Sequence, residues 1–106
     1  MSTFDEREKA FEEQFKHDEE LRFKVHARRN KLLGLWAAEK MGVKGPAAEA
    51  YAQTVVETGV AKPSRDDVLQ KVVKDLAGKG ISIGLAEVTH EMERLRPIAK
   101  AQVEKA

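Results

Sequence analysis

The sequence predicts an all-α protein, a four-helix bundle preceded by an N-terminal arm of different character. Three observations lead there. Ala, Glu, Lys, Leu and Arg, residues that helices favour, dominate the 106-residue chain. No stretch sustains the alternation of apolar and polar residues that marks a strand. Glycine and proline fall at spaced points, Gly42–Gly45–Pro46, Gly59–Pro63 and Gly78–Gly80, and divide the chain into helix-length pieces.

The bundle is expected over 19–106, with helices at about 19–41, 46–58, 65–77 and 83–104. In the first, Leu21, Val25, Leu32 and Trp36 share a face with Leu33 at its margin, and Gly42 supplies the stop. Pro46 opens the second, since a missing N–H costs nothing in a first turn, and Gly59 closes it. Its buried face uses Ala48, Tyr51, Ala52, Val55 and Val56. Ser64 caps the third, and Asp67 makes a capping-box-like pattern with it. Val68, Leu69, Val72, Val73 and Leu76 form its apolar side, and Gly78 and Gly80 end it. Ser82 is the expected cap of the fourth, which carries Leu85, Val88, Met92, Leu95, Ile98 and Val103 and is interrupted by Pro97.

That leaves FDEREKAFEEQFKHDEE at the start. All four phenylalanines lie in the first 23 residues, and Phe4, Phe11 and Phe15 sit among acids. On a helix these three fall within about 40° of one another. Pairs such as Asp5–Lys9, Glu12–Lys16 and Glu13–Lys16 support helix only weakly, by ~0.2–0.5 kcal/mol each. A stripe one residue wide builds no core of its own. The segment therefore reads as a further amphipathic helix on the bundle, a continuation of the first helix, or a recognition segment whose phenylalanines enter a partner's groove.

Charge separates along the same stretch. Residues 1–20 hold eight acids against three bases, net −5, whereas residues 21–31 hold five bases and no acid. The basic run RFKVHARRNK lies on a helix beside an acidic segment that repels phosphate, and the whole chain carries only +1. Nucleic acid is therefore not the expected partner. Arg22, Arg28, Arg29 and Lys31 read instead as a solvated face, open to an acidic protein surface or to weak ATP or ADP contact that no motif requires.

Catalysis finds no support. The chain has no cysteine, its three histidines have no metal-ligand spacing, and HEMER places Arg94 where a zinc helix needs a second histidine. GKGISIG fits neither the dinucleotide nor the phosphate-loop pattern. No apolar run approaches the ~20 residues that span a bilayer, and the acidic start does not suit a signal peptide. The expectation is an intracellular protein that is not an enzyme and needs no cofactor or metal.

FDEREKAFEEQFKHDEELRFK followed by ARRNKLLGLWAAEKMG strongly resembles the ATPase inhibitor subunit zeta of alphaproteobacterial rotary ATP synthases. AEAYAQTVVETG, DVLQKVVKDLAGKGI and the terminal AKAQVEKA extend the similarity over essentially the whole chain, and ARRNKLLGLWAAE is its most specific block. The resemblance implies a four-helix bundle behind a mobile, partly helical inhibitory arm, residues 1–18. It also implies that the arm enters the catalytic head at an alpha/beta interface, approaches the gamma subunit and blocks rotation in the hydrolysis direction. Phe4, Phe11 and Phe15 would be the groove anchors, Arg7, Glu8, Lys9, Glu12, Glu13 and Lys16 would supply polar contacts, and His17 would sit at the junction with the bundle. The free protein would be a cytoplasmic monomer, peripheral to the inner membrane through the enzyme. The competing expectation is a small helical adaptor whose arm folds on an unrelated protein.

Overall fold

The computed structural model describes the backbone of residues 2–105 and the side chains of residues 18–105. Four helices follow in order: α1 (Ser2–Lys40), α2 (Pro46–Ala61), α3 (Arg65–Gly78) and α4 (Leu85–Lys105). Among the described residues there is no strand. α1 starts well before the expected position 19, because no glycine or proline interrupts the sequence ahead of Gly34.

Neighbours along the chain run antiparallel, as short connections require. Ala52 of α2 lies against Gly34 of α1, and the later Gly59 meets the earlier Asn30. Tyr51 reaches forward to Asp75 of α3, and Gln102 near the end of α4 reaches back to Arg28. α1 packs on both α2 and α4, and α3 closes the bundle between those two.

Two helix ends carry the same stop. Gly42 (φ 74°) follows α1, with Val43 N–H donating to Ala38 C=O at 2.8 Å and Gly42 N–H to Glu39 C=O at 3.1 Å. After α3, Gly80 (φ 76°) takes the same left-handed position, with Ile81 N–H on Leu76 C=O at 2.9 Å. Both are Schellman closures, which satisfy carbonyls the helix leaves open. Gly78 is itself the last residue of α3 and not its terminator.

Ser64 caps α3 as expected, its Oγ accepting from Asp66 N–H at 3.3 Å. The capping box does not close, since Asp67 N–H goes to the Ser64 carbonyl. Ser82 is not a cap. α4 begins at Leu85, with Val88 N–H on the Gly84 carbonyl, so the turn is set by the backbone ahead of the helix. α4 also runs through Pro97 without ending.

The core gathers Leu33 and Ala37 of α1, Val55 of α2, Val68, Leu69, Val72 and Leu76 of α3, and Val88, Met92 and Leu95 of α4. Leu33, expected at the margin, is its fully buried centre on α1, while Leu32 and Trp36 are half-buried around it. The fourth helix also differs from expectation, burying Ala99 and leaving Leu85 and Ile98 exposed.

Candidate partner-binding surfaces

The side chains expected to make the inhibitory contacts, Phe4, Arg7, Glu8, Lys9, Phe11, Glu12, Glu13, Phe15, Lys16 and His17, lie outside the described residues. The described surface begins immediately after them, on the first bundle turns of α1.

The four basic residues predicted as one solvated face do not form one. Arg28 and Lys31 turn toward a groove of about 810 Å³ bounded by α1, α2 and the end of α4, with Leu21, Phe23, Val56 and Val103 as its apolar wall. Both are engaged within the bundle. Arg28 Nη1 donates to Gln102 Oε1 at 3.2 Å, and Lys31 Nζ stands 3.8 Å from Glu49 Oε2. Arg22 is exposed.

Arg29 is nearly buried. It is 8% exposed, and its Nε and Nη2 both donate to Asn30 Oδ1, at 3.2 and 3.1 Å. Successive residues on a helix point about 100° apart, so a run of bases cannot share one face. Arg29 happens to take an inward position. Burial, reinforced by the nearby Arg65 and Arg96, lowers its pKa from the ordinary guanidinium value. His26, one turn earlier, is likewise held below the usual histidine range, first by burial and then by Arg29, Arg96 and Arg22.

Arg29, Asn30 and His26 line a second, smaller cleft of about 150 Å³ between α1 and α2, with Phe23, Gly59 and Val60. Its shape depends on Gly59, which sits inside α2 and does not terminate it. A Cβ there would lie 2.4 Å from Asn30 Nδ2, so the missing side chain makes room for Asn30. Nothing in a one-dimensional reading distinguishes such a glycine from a helix stop. His26, Asn30, Arg65 and Arg96 were not legible as a cluster, since they come from three helices.

The other polar contacts brace the bundle. Tyr51 OH donates to Asp75 Oδ2 at 2.9 Å, and Lys71 Nζ reaches the same oxygen at 2.9 Å. Burial, and then the bond to Asp75, raises the Tyr51 pKa. Glu91, 8% exposed, takes a two-point bond from Arg94, which holds its carboxyl below the usual range. Among the described residues no group of acids and histidines could hold a metal ion, and no helix is long and apolar enough to cross a membrane.

The most recognisable block, ARRNKLLGLWAAE, is now explained largely by packing. Asn30, Leu33, Ala37 and Ala38 are buried, and Gly34 meets the backbone of Ala52 at the α1–α2 crossing. The family described as ATPase inhibitor subunit zeta matches residues 1–102. The chain belongs to this family. Zeta-family membership makes it an inhibitor subunit of an ATPase, a class of regulatory and not catalytic proteins. A solution NMR structure with 45% sequence identity superposes with a TM-score of 0.71, covering 80% of this chain and 96% of the other. No curated protein matches the chain.

Proposed function

We propose that this zeta-family protein inhibits ATP hydrolysis by the rotary ATP synthase by inserting its N-terminal arm, residues 1–18, at an alpha/beta/gamma interface of the catalytic head. There it blocks rotation in the hydrolysis direction. The observation that carries this reading is the match to an inhibitor family over residues 1–102, which takes in the whole arm as well as the bundle. The composition of the arm supports it. Phe4, Phe11 and Phe15 fall on one helical stripe among charged residues, a stripe too narrow to build a core of its own. A one-sided aromatic stripe on an otherwise charged helix suits a partner's groove.

In this reading Phe4, Phe11 and Phe15 anchor the arm. Arg7, Glu8, Lys9, Glu12, Glu13 and Lys16 pair with charges along the cleft, and His17 joins arm to bundle. The protein acts at the cytoplasmic face, held to the inner membrane only through the enzyme, and it is a monomer when free. Its action requires no cofactor of its own.

The test adds full-length protein, a version starting at Glu19, and a full-length Phe4→Ser/Phe11→Ser/Phe15→Ser variant to purified catalytic heads depleted of their own inhibitor. Hydrolysis is followed during turnover, with binding measured in parallel. Inhibition by the full chain alone, while the others still bind, is the expected result. Equal inhibition by all three would move the inhibitory element into the bundle and overturn the proposal.

A further inference from the structure

Phe23 and Val60 are the two most exposed large apolar side chains among the described residues, at 60% and 55%. They come from different helices and line the same cleft of about 150 Å³. Arg29 lines it too, and no carboxylate pairs with Arg29 among the described residues. Two of its donors share one oxygen, that of Asn30. No buried polar side-chain atom of the described residues lacks a partner, so the unused Arg29 Nη1 is reached from outside.

The surroundings add positive charge from three helices. Arg22 stands on α1, Arg65 opens α3, and Arg96 lies on α4, while His26 beside them is shifted toward its neutral form. Among the described residues, Arg65 alone of these pairs with a carboxylate, Glu93 at 3.8 Å. A nearly buried guanidinium among like charges is costly unless an anion completes it. An exposed phenylalanine beside a nearly buried arginine also matches the enrichment of aromatic residues and arginine at protein interfaces.

We infer that the Phe23–Val60 cleft is a docking seat for an acidic side chain of the partner protein, whose carboxylate meets Arg29 while flanking apolar residues cover Phe23 and Val60. This rests on the inhibitor reading above and names which residues of the bundle would make its contact with the catalytic head. Size favours a protein side chain over a free ligand. The cleft falls below the ~300–1,000 Å³ of ordinary small-molecule pockets but accommodates one Asp or Glu. Continuity favours the same partner, because Phe23 follows the arm on the same helix, six residues after His17.

The experiment uses the full-length chain with its arm unchanged, and depleted catalytic heads as the partner. Val60→Glu and Arg96→Glu alter exposed positions beside the cleft. Lys79→Glu makes the same charge change as Arg96→Glu at the far end of α3. Val60→Glu and Arg96→Glu should each raise the Kd about tenfold, and Arg96→Glu should weaken its salt dependence. Lys79→Glu should stay within about twofold of wild type. Inhibition at saturation should be equal in all four proteins. Thermal stability of Arg96→Glu should not fall, since the change relieves repulsion at Arg29, and this separates a docking role from a structural one. If wild type binds and inhibits but Val60→Glu and Arg96→Glu match its Kd, the docking seat is overturned and the inhibitor reading stands. Equal weakening by Lys79→Glu would also overturn it, leaving only a net-charge effect. Failure of wild type to bind would overturn both.

Discussion

Gly34→Ala is the sharpest test of how this bundle is held together. Gly34 lies in the middle of α1, where alanine is intrinsically better than glycine by ~1 kcal/mol. Sequence reasoning alone therefore predicts stabilisation. The structure predicts the opposite. An added Cβ would stand 2.6 Å from Ala52 Cα, 3.1 Å from Ala52 Cβ and 3.2 Å from Val55 Cγ2. The nearest atom is backbone, so no rotamer change relieves the overlap. α1 and α2 must separate by roughly 1 Å to restore ordinary contact, and Leu33, Ala37 and Val55 would loosen with them. Overpacking of this kind costs ~1–3 kcal/mol, and a rigid backbone obstacle places it in the upper part of that range. After subtracting the propensity gain, the net loss is about 1–2 kcal/mol, or roughly 5–15 °C in Tm for a domain of this size. Thermal and urea unfolding of the variant measure it directly. Gly78→Ala is the matched control, because nothing lies within 4 Å of its added Cβ. It should gain ~0.4–1 kcal/mol. A Gly34→Ala protein as stable as wild type would refute the close crossing.

Three further outcomes follow from the same geometry. Gly59→Ala should lose up to about 1 kcal/mol in urea unfolding once the helix-propensity gain is subtracted, because the new methyl displaces the buried Asn30 and with it the acceptor for Arg29. Ser64→Ala removes the oxygen that accepts from Asp66 N–H and should cost ~0.5–2 kcal/mol, read from the thermal midpoint. His26 has a folded-state pKa below its ordinary value of 6.5, so between the two values the unfolded chain holds more protons. Its contribution is complete above the unfolded value and declines as pH falls below it. His26→Gln should therefore lose less stability than wild type between pH 7.5 and pH 5.5. An equal loss in both proteins would show that His26 does not titrate in that window.

The helical class, the number of bundle helices and most of α2 and α3 were legible because local chemistry decides them. Pro46 can only begin a helix comfortably, Ser64 offers an oxygen at a first turn, and Gly42 takes a backbone angle that favours glycine. The misreadings arose where a distant residue decides the outcome. Gly59 looks like a stop until Asn30 is placed beside it, and Arg29 looks solvated until α2, α3 and α4 surround it. Leu33 moved from margin to centre because it joins the cluster built from α2, α3 and α4, which periodicity along one helix cannot reveal. The candidate cleft was illegible for the same reason, since Phe23, His26 and Arg29 of α1 meet Val60 of α2 only in the folded bundle.

Energetics explain why an arm and a docking seat would be needed together. Burying three phenylalanines yields roughly 5–9 kcal/mol at ~1.5–3 kcal/mol each. Fixing a dozen or more flexible residues costs ~1–2 kcal/mol apiece, which exceeds that gain. An arm that had to be ordered from a flexible state would bind weakly by itself. A bundle already seated on the head changes the terms, because insertion becomes intramolecular and the local concentration of the arm reaches the millimolar range. The two parts should then fail differently. A weakened cleft raises the concentration of protein needed for inhibition and leaves its maximum unchanged. Loss of Phe4, Phe11 and Phe15 lowers the maximum while the bundle still occupies its site. A titration of hydrolysis against each variant separates these effects, and a cleft variant that lowered the maximum would show that the bundle itself takes part in blocking rotation.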